Sequence, residues 1–350
     1  MSATTTAEPT SPVDIVRKAR RAPRRHHAFV VAALAVILFG AFVARVLLGN
    51  FIITVPDFFT ILGGGEIPGA REASFLLMSE KLPRAILGVL VGVAFGSAGA
   101  VFQSTLRNPL ASPDIVGVSL GASASAVFAI VVLDLQGLAL SIAAIVGAIA
   151  IAVAVRLVAG SDGSYRLVLV GVTAAAAMTA VVHYLFTRAN EFDALLVLRW
   201  LTGALNGVTW STIWILLGFL VVLVPALVWT ARSAQILQLG PDVATGLGVS
   251  QRRTDLLLLL AVLLTALGVA AAGPVAFVAF VAGPISRALN GGRTTLVGAA
   301  LVGAIVMVAG DYIADYAIPG VSFPVGVVTG AFGAPFLLWL LAAGRAGRKA

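Results

Sequence analysis

The sequence predicts an all-α protein that crosses a membrane about ten times. Of its 350 residues, 60% are hydrophobic and only 11% are charged, a balance that fits neither one large nor two ordinary soluble domains. The first long apolar run covers about 28–48, and its ~20 residues are enough to cross the hydrocarbon core as a helix. Lipid is therefore the expected solvent of most of the chain.

The other apolar runs divide the chain into one membrane domain with two polar ends. A cleaved signal peptide would have an apolar region of only ~7–15 residues, so the first run is interpreted as a retained helix after a basic, disordered cytoplasmic tail at 1–27. One transmembrane domain is expected at 28–343, and a short cytoplasmic tail at 344–350. Further spans are expected near 75–105, 115–133, 138–158, 166–187, 209–231, 254–272, 276–290, 295–310 and 324–343, with a short surface helix within 188–208.

The distribution of charge predicts how the chain is oriented. If both termini are cytoplasmic, 17 of the 23 Lys and Arg residues fall on that side and 6 on the other, as the positive-inside rule requires. Most acidic residues fall on the outer side, so nucleic acid is not an expected partner. The chain has no Cys, which excludes a thiolate metal site. Its three His residues are too few to favour a histidine-rich metal centre.

Small residues recur in several of the predicted spans. Gly88, Gly92, Gly96 and Gly99 follow one another at a spacing near four, which places them on one side of a helix. Such a stripe allows two helix backbones to approach closely in lipid, where no water drives association. Close helix packing is therefore expected along this span.

The segment 232–250 is too polar to span a membrane. Leu237, Leu239, Val243 and Leu247 form a narrow apolar stripe, and Pro241 favours the first turn of a helix. We therefore predict a short amphipathic helix that starts at Pro241. The pattern alone fits a helix lying on the membrane as well as it fits a docking element for a cytoplasmic partner.

The charged side chains near the predicted spans are candidates for binding. Lys81 and Arg84, three residues apart at the outer end of a span, share a helix face; they either reach toward the lipid surface or contact a partner. His183 lacks a carboxylate at the same depth, which argues against a proton relay. Asp311 and Asp315 alone make a poor cation site.

The sequence has no G-x-x-x-x-G-K-[ST] motif, so the phosphate loop of an ATPase is missing.

Three blocks of sequence resemble one family of transport proteins. They are KLPRAILGVLVGVAFGSAGAVFQSTLRNPLASPDIVGVSLGA (81–122), GPVAFVAFVAGPISRAL (273–289) and FPVGVVTGAFGAPFLLWLL (323–341). In order and spacing they are similar to the permease subunit of the iron-siderophore, haem and cobalamin ABC importers, the FecCD-type or type II importer permeases. The resemblance implies a ten-helix fold, a homodimer or related heterodimer in the cell membrane, two separate ATPase subunits and an extracellular or periplasmic binding protein. It also implies that this chain holds no cofactor, since ATP and Mg²⁺ are used by the ATPase.

The resemblance also implies a role for individual residues. Lys81 and Arg84 would dock the binding protein, and Gln103, Asn108, Pro109 and Pro113 would be structural. The ATPase would contact a coupling helix near 236–249, comprising Leu237, Leu239, Gly240, Ala244, Leu247 and Gly248. The translocation pathway would be lined by Gly171, Thr173, Gly326, Gly330, Gly333 and Pro335, for which tight helix packing is the alternative.

The expected function is passage of a ferric-siderophore complex into the cytoplasm. A cobalamin or haem permease of the same family is the alternative, and an ion-coupled secondary transporter is the alternative of another class. The sequence departs from the family pattern at two places. Gly283 and Pro284 stand where a Pro-His or Pro-Gln pair is common, and Asp315 stands where an Arg is often found.

Overall fold

The computed structural model describes residues 12–67, 70, 72–160 and 164–346, and in this part of the chain every regular element is helical. The helices are α1 (Pro12–Leu47), α2 (Val55–Leu62), α3 (Glu72–Phe75), α4 (Leu82–Thr105), α5 (Val118–Val131), α6 (Gly137–Ala159), α7 (Ser164–Phe186), α8 (Glu191–Thr202), α9 (Trp210–Leu237), α10 (Pro241–Gly246), α11 (Gln251–Ala272), α12 (Val278–Leu289), α13 (Leu296–Tyr316) and α14 (Val325–Ala346). A π-helical turn, Leu76–Lys81, joins α3 to α4.

Seven of the described helical stretches are long and apolar enough to cross a membrane: Arg25–Leu47, Glu72–Thr105, Gly137–Ala159, Tyr165–Phe186, Trp210–Leu237, Gln251–Ala272 and Leu296–Tyr316. Three shorter apolar helices, Val118–Val131, Val278–Leu289 and Val325–Leu340, coincide with the remaining predicted spans. The chain is thus an all-α, multi-pass membrane protein. The count of about ten spans stays a prediction, because these three helices fall below the length of a full span.

Two of the short helices follow segments that are not helical. Residues 106–117 lead back from the end of α4 to the start of α5, where Val116 lies against Gly171 of α7. Residues 273–277 lead from the end of α11 to the start of α12, where Phe277 lies against Gly333 of α14. In lipid such segments need internal partners for their backbone groups, and bonds such as Gly117 N to Asp114 O (2.9 Å) supply them.

The N-terminal helix is longer than the sequence predicts. α1 begins at Pro12, so residues 12–27, expected to be part of a disordered tail, are helical and continuous with the first span. The prediction fails because it treated a basic run as unstructured, whereas Arg, Lys and Ala are strong helix formers. Residues 1–11 and 347–350, which belong to the predicted tails, lie outside the described part of the chain.

The surface segments agree more closely with prediction. The short helix expected within 188–208 is α8, and the helix expected to start at Pro241 is α10. α9 continues to Leu237, beyond the end predicted near 231. Its 28 residues give it a length of about 42 Å, so it extends about 12 Å beyond a hydrocarbon core of about 30 Å.

The centre of the bundle is α4, which is buried along most of its length and packs against α11, α12 and α13. The predicted glycine stripe accounts for this packing. A Cβ on Gly92 would lie 2.4 Å from Ala304 Cα, and one on Gly96 would lie 2.2 Å from Ala299 O. A Cβ on Gly99 would lie 1.8 Å from Ala279 O. Because backbone atoms occupy these places, residues larger than glycine would force the helices apart.

The two ends of the bundle carry different chemistry. One end, here called the Lys81 end, holds the end of α1, the start of α4, the end of α13 and α8. The other, here called the Pro241 end, holds the end of α4, the end of α9 and α10. The candidate docking and coupling residues lie at these two ends.

We expect Gly99→Ala to destabilise the protein, because its Cβ has no space against Ala279 O, and overpacking of this kind costs about 1–3 kcal/mol. The measurement is the thermal unfolding midpoint of the purified chain in detergent. Gly218→Ala is the matched control, because a Cβ at this glycine of α9 meets no atom within 4 Å. Equal midpoints for the two variants would contradict the packing described.

Candidate functional site: the two ends of the bundle

The Lys81 end contains a buried cluster of four charges, Arg45, Arg84, Asp311 and Asp315, here called the charge cluster. Arg45 Nε lies 2.6 Å from Asp311 Oδ2, and its Nη2 lies 2.9 Å from Asp315 Oδ2. Arg84 Nη2 lies 2.7 Å from Asp311 Oδ1, and its Nη1 lies 2.8 Å from Asp315 Oδ2. Two guanidinium groups thus neutralise two carboxylates, and the cluster joins α1, α4 and α13.

Burial makes the charge cluster structurally important. Arg45 and Asp311 are 2% and 1% exposed, and Arg84 and Asp315 are each 13% exposed. Ser322 donates a further hydrogen bond to Asp315 Oδ1 at 2.5 Å, and Arg45 lies over the Tyr316 ring at 5.7 Å from its centroid. A buried charge without its partner would cost several kcal/mol, so each member holds the others in place.

Lys81 is also used within the protein. Its Nζ donates hydrogen bonds to the carbonyl oxygens of Leu48, at 3.0 Å, and Phe51, at 2.5 Å, and the residue is 6% exposed. It lies in the π-helical turn, where Trp210 Nε1 also donates to Met78 O at 2.8 Å. Lys81 therefore fixes the chain that follows α1.

These contacts correct the expected position of the two docking cations. Lys81 and Arg84 do lie at the same end of one helix, but their charged groups bond inside the bundle instead of facing outward. The pairing of Asp311 and Asp315 with arginines also explains the departure at Asp315. A carboxylate at this position completes a neutral cluster with Arg45, Arg84 and Asp311.

At the Pro241 end, α10 presents an apolar surface. Leu239, Val243 and Leu247 are 62%, 49% and 58% exposed, and we call these three residues the α10 apolar surface. The other apolar members of the predicted coupling segment have a different position, since Leu237 is 8% and Ala244 1% exposed. They anchor α10 to the bundle, and Gly240 (φ +113°) and Gly248 (φ +83°) form the turns on either side.

The segment between α4 and α5 is held by the residues predicted to be structural. Asn108 Oδ1 accepts a hydrogen bond from Leu110 N at 2.9 Å, which is the local turn that Asn favours before proline. Pro113 O accepts hydrogen bonds from Val116 N and Val118 N at the start of α5. Pro109 lies within this turn, between Asn108 and Leu110.

Gln103 connects two central helices. It is 1% exposed, and its Nε2 donates to Phe280 O of α12 at 3.0 Å. A Cβ on Gly283 would lie 1.8 Å from Gln103 Oε1. This contact explains why glycine stands at 283, because it leaves room for the amide of Gln103; nothing in the structure explains Pro284.

The predicted pathway residues separate into two groups. Gly171, Gly326 and Gly333 are buried packing positions, since a Cβ on them would lie 2.7 Å from Val116 Cα, 2.1 Å from Thr202 O and 2.3 Å from Phe277 Cβ, respectively. These three glycines are therefore sites of tight helix packing, which is the alternative to a pathway lining. Thr173 and Pro335 are exposed, and a Cβ on Gly330 would meet only Ala276 Cβ, at 4.0 Å.

α7 and α14 offer a large uncovered surface. On α7, Val172 and Tyr184 are 50% and 58% exposed, and on α14, Phe332 and Trp339 are 63% and 61% exposed. His183 also lies on α7 and is exposed. Apolar exposure of this kind belongs to lipid or to another membrane subunit.

A bundle of long apolar helices, with a largely buried charge cluster at one end and a projecting apolar surface at the other, is that of a multi-pass membrane protein. The sequence profile of the FecCD transport family matches residues 34–343, and the chain therefore belongs to this family. Homologues in this family are permease components of ABC importers for siderophores, citrate and vitamin B12.

Individual relatives agree with this assignment. The ferric enterobactin transport system permease protein FepG of Escherichia coli (strain K12) is 36% identical over 79% of this chain and 84% of its own length. The Fe(3+) dicitrate transport system permease protein FecD of the same strain is 37% identical over 77% of this chain and 86% of its own. The vitamin B12 import system permease protein BtuC of Salmonella typhi is 34% identical over 79% of this chain and 86% of its own length.

A solved structure shares the fold. It is an inward-facing conformation of a transporter assigned to the metal-chelate ABC type, with a TM-score of 0.76 and 24% sequence identity, covering 90% of this chain and 99% of that one.

We expect Asp311→Asn to lower the stability of the protein by about 3–5 kcal/mol, because it leaves two buried arginines with one carboxylate. Adding Arg45→Gln to this variant restores part of the loss, since the second change removes an unpaired charge. Thermal unfolding of the single and double variants in detergent measures the coupling.

The matched control is Arg156→Gln. Arg156 pairs with Asp255 at 2.9 Å, but the two side chains are 32% and 40% exposed, so its loss is expected to cost at most about 1 kcal/mol. Additive effects of Arg45→Gln and Asp311→Asn would contradict the structural role of the charge cluster.

Proposed function

We propose that this chain is the membrane-spanning subunit of an ABC importer that passes a ferric-siderophore complex into the cytoplasm. Two copies form the permease, two separate subunits hydrolyse ATP with Mg²⁺, and an extracellular or periplasmic protein delivers the substrate. Both termini lie in the cytoplasm, so the Pro241 end is cytoplasmic and the Lys81 end faces outward. Membership of the FecCD family, together with the α10 apolar surface, carries the proposal.

The α10 apolar surface supports docking to the ATPase. The apolar pattern alone fits a helix lying on the membrane as well as a docking helix, and the family resemblance favours docking. In the structure, α10 follows α9, whose 28 residues make it about 12 Å longer than the hydrocarbon core is thick, which leaves length for α10 to lie beyond the lipid. A rigid helix transmits displacement as a unit, which suits ATP-driven closure.

The second permease copy fits the uncovered surface of α7 and α14. Thr173, Gly330 and Pro335 lie on these helices, and they are the pathway candidates with open space beside them. Pairing of two copies through this surface places these small residues near the two-fold axis, where they leave width for a bulky chelate.

The names of the relatives support a ferric chelate as the substrate. FepG and FecD are named for ferric enterobactin and ferric dicitrate. Cobalamin is the second candidate, because BtuC is similar to this chain to nearly the same degree. A deletion strain grown on single iron sources separates the two: loss of growth on one ferric siderophore supports the proposal, and normal uptake of all of them with loss of cobalamin uptake contradicts it.

An ion-coupled transporter is the rival of another class. In purified vesicles that hold only this chain, we expect no uphill transport in a proton or sodium gradient. Uptake is expected only when the ATPase subunits, the binding protein and ATP are present.

We expect Leu239→Asp to uncouple transport from ATP hydrolysis, because a carboxylate in an apolar contact would have to be desolvated. The measurement is substrate-stimulated ATPase activity of the reconstituted complex, compared with transport. Leu239→Met is the matched control, since it keeps the apolar surface and is expected to retain both activities. Normal coupling in the Asp variant would contradict docking through α10.

We expect Lys81→Glu with Arg84→Glu to weaken capture of the binding protein, measured by its affinity for the reconstituted permease. Both cations lie in internal networks, so unfolding of the variant must be measured as well. The exchange of Arg84→Asp with Asp315→Arg keeps the net charge of the cluster and tests the cation at position 84 itself. Unchanged affinity in a folded exchange variant would assign Arg84 a structural role only.

A further inference from the structure

A cavity of about 850 Å³ opens near the Lys81 end between α6, α8 and α9, with α11 behind it. In the described part of the chain its lining comes from these helices, from α4 and α5 and from the connecting loops, and it includes no residue of α7 or α14. The cavity is therefore separate from the proposed pathway, and its role does not depend on the proposed function.

The cavity has a polar mouth and an apolar interior. Its polar lining comprises Gln136, Ser141, Arg199, Asn206, Thr209, Ser211 and Thr212. These residues lie beside the starts of α6 and α9 and at the end of α8. The apolar lining includes Ile142, Ile145, Leu216 and Phe219, which lie progressively farther along α6 and α9.

The length of the cavity matches one leaflet of a bilayer. Ile145 lies eight residues after the start of α6, and Phe219 nine residues after the start of α9. At 1.5 Å per residue the apolar lining reaches about 12–14 Å from the helix starts. Half of a hydrocarbon core of about 30 Å is about 15 Å. An acyl chain that enters from the Lys81 end would therefore lie along this lining.

The charge at the mouth is positive. Arg199 is the ionisable side chain among the lining residues, and it is exposed. Within the described residues its guanidinium donates one hydrogen bond, from Nη2 to Asn206 O at 2.8 Å, which leaves other N–H groups for a ligand. α6 and α9 both begin at this mouth, and helix N-termini favour negative charge. Trp200, whose indole N–H is buried without an acceptor, lines the same cavity.

We propose that this cavity binds one anionic phospholipid from the leaflet at the Lys81 end. The phosphate lies at Arg199 beside the start of α9, and one acyl chain lies in the apolar part between α6 and α9. Positive charge at the mouth selects an anionic headgroup, while the apolar interior requires a chain that an inorganic anion lacks. The lipid fills the space that separates α8 and α9 from α6.

Native mass spectrometry of the delipidated, purified full chain tests the proposal. The probes are phosphatidylglycerol and phosphatidylcholine with the same acyl chains. We expect the chain to retain one phosphatidylglycerol in preference to phosphatidylcholine, and Arg199→Gln to weaken phosphatidylglycerol retention roughly tenfold, since bonds to a charged group are strong. Equal retention of the two lipids by the unchanged protein would overturn the headgroup assignment.

Two variants and one competitor make the test specific. Arg188→Gln is the matched control, because Arg188 is an exposed arginine at the same end that stacks on Tyr184 and does not line the cavity; it is expected to retain lipid normally. Ile142→Trp places a bulky indole ring at an exposed position of the lining. It is expected to reduce retention of both lipids. Unchanged retention in Ile142→Trp would exclude the cavity as the binding place, and displacement of lipid by millimolar inorganic phosphate would show that a free anion occupies the mouth.

Discussion

The close contact of α4 with α12 and α13 is the constraint on which the rest of this structure depends. At Gly92, Gly96 and Gly99 the neighbouring backbones occupy the space of a side chain. Lipid supplies no hydrophobic force between helices, so this packing must come from fit and from dispersion contacts. Once α4 and α13 are fixed in this register, Arg84 of one helix meets Asp311 and Asp315 of the other, and Arg45 of α1 closes the charge cluster.

Much of the fold could be predicted from the sequence, because its signals are local. Long apolar runs identify helices in lipid, a glycine stripe identifies a close contact, and proline at the first turn locates the start of α10. The charge cluster could not be predicted in this way. Arg45 and Asp311 are 266 residues apart in the chain, and their pairing follows from the packing of three helices. The sequence does contain one indication of the cluster, which is Asp315 at a position where an Arg is often found in the family. A carboxylate there needs a cationic partner, but the sequence does not show which residue provides it.

The candidate site residues, too, could be predicted only in part, because their surroundings depend on the packing of distant helices. The three-residue spacing of Lys81 and Arg84 at the end of a span predicts a shared outward face, whereas a π-helical turn and the charge cluster direct both side chains inward. Small residues are ambiguous for a different reason, because both a wide passage and a tight contact need them. Gly326 and Gly330 are one helical turn apart on α14, yet the first contacts Thr202 O and the second has open space. Only the position of the neighbouring helix separates the two roles.

The two ends of the bundle are connected by α9. Its start is attached to the Lys81 end through the hydrogen bond from Trp210 to Met78 O, and its end is attached to α4 through the hydrogen bond from Gln238 to Ser104 at 3.1 Å. α10 follows three residues after its last turn. A force on the α10 apolar surface would therefore reach the end of α9 directly. The start of α9 also forms one side of the cavity mouth at which the lipid phosphate is proposed to lie, so occupancy of that cavity would act on the same helix that α10 adjoins.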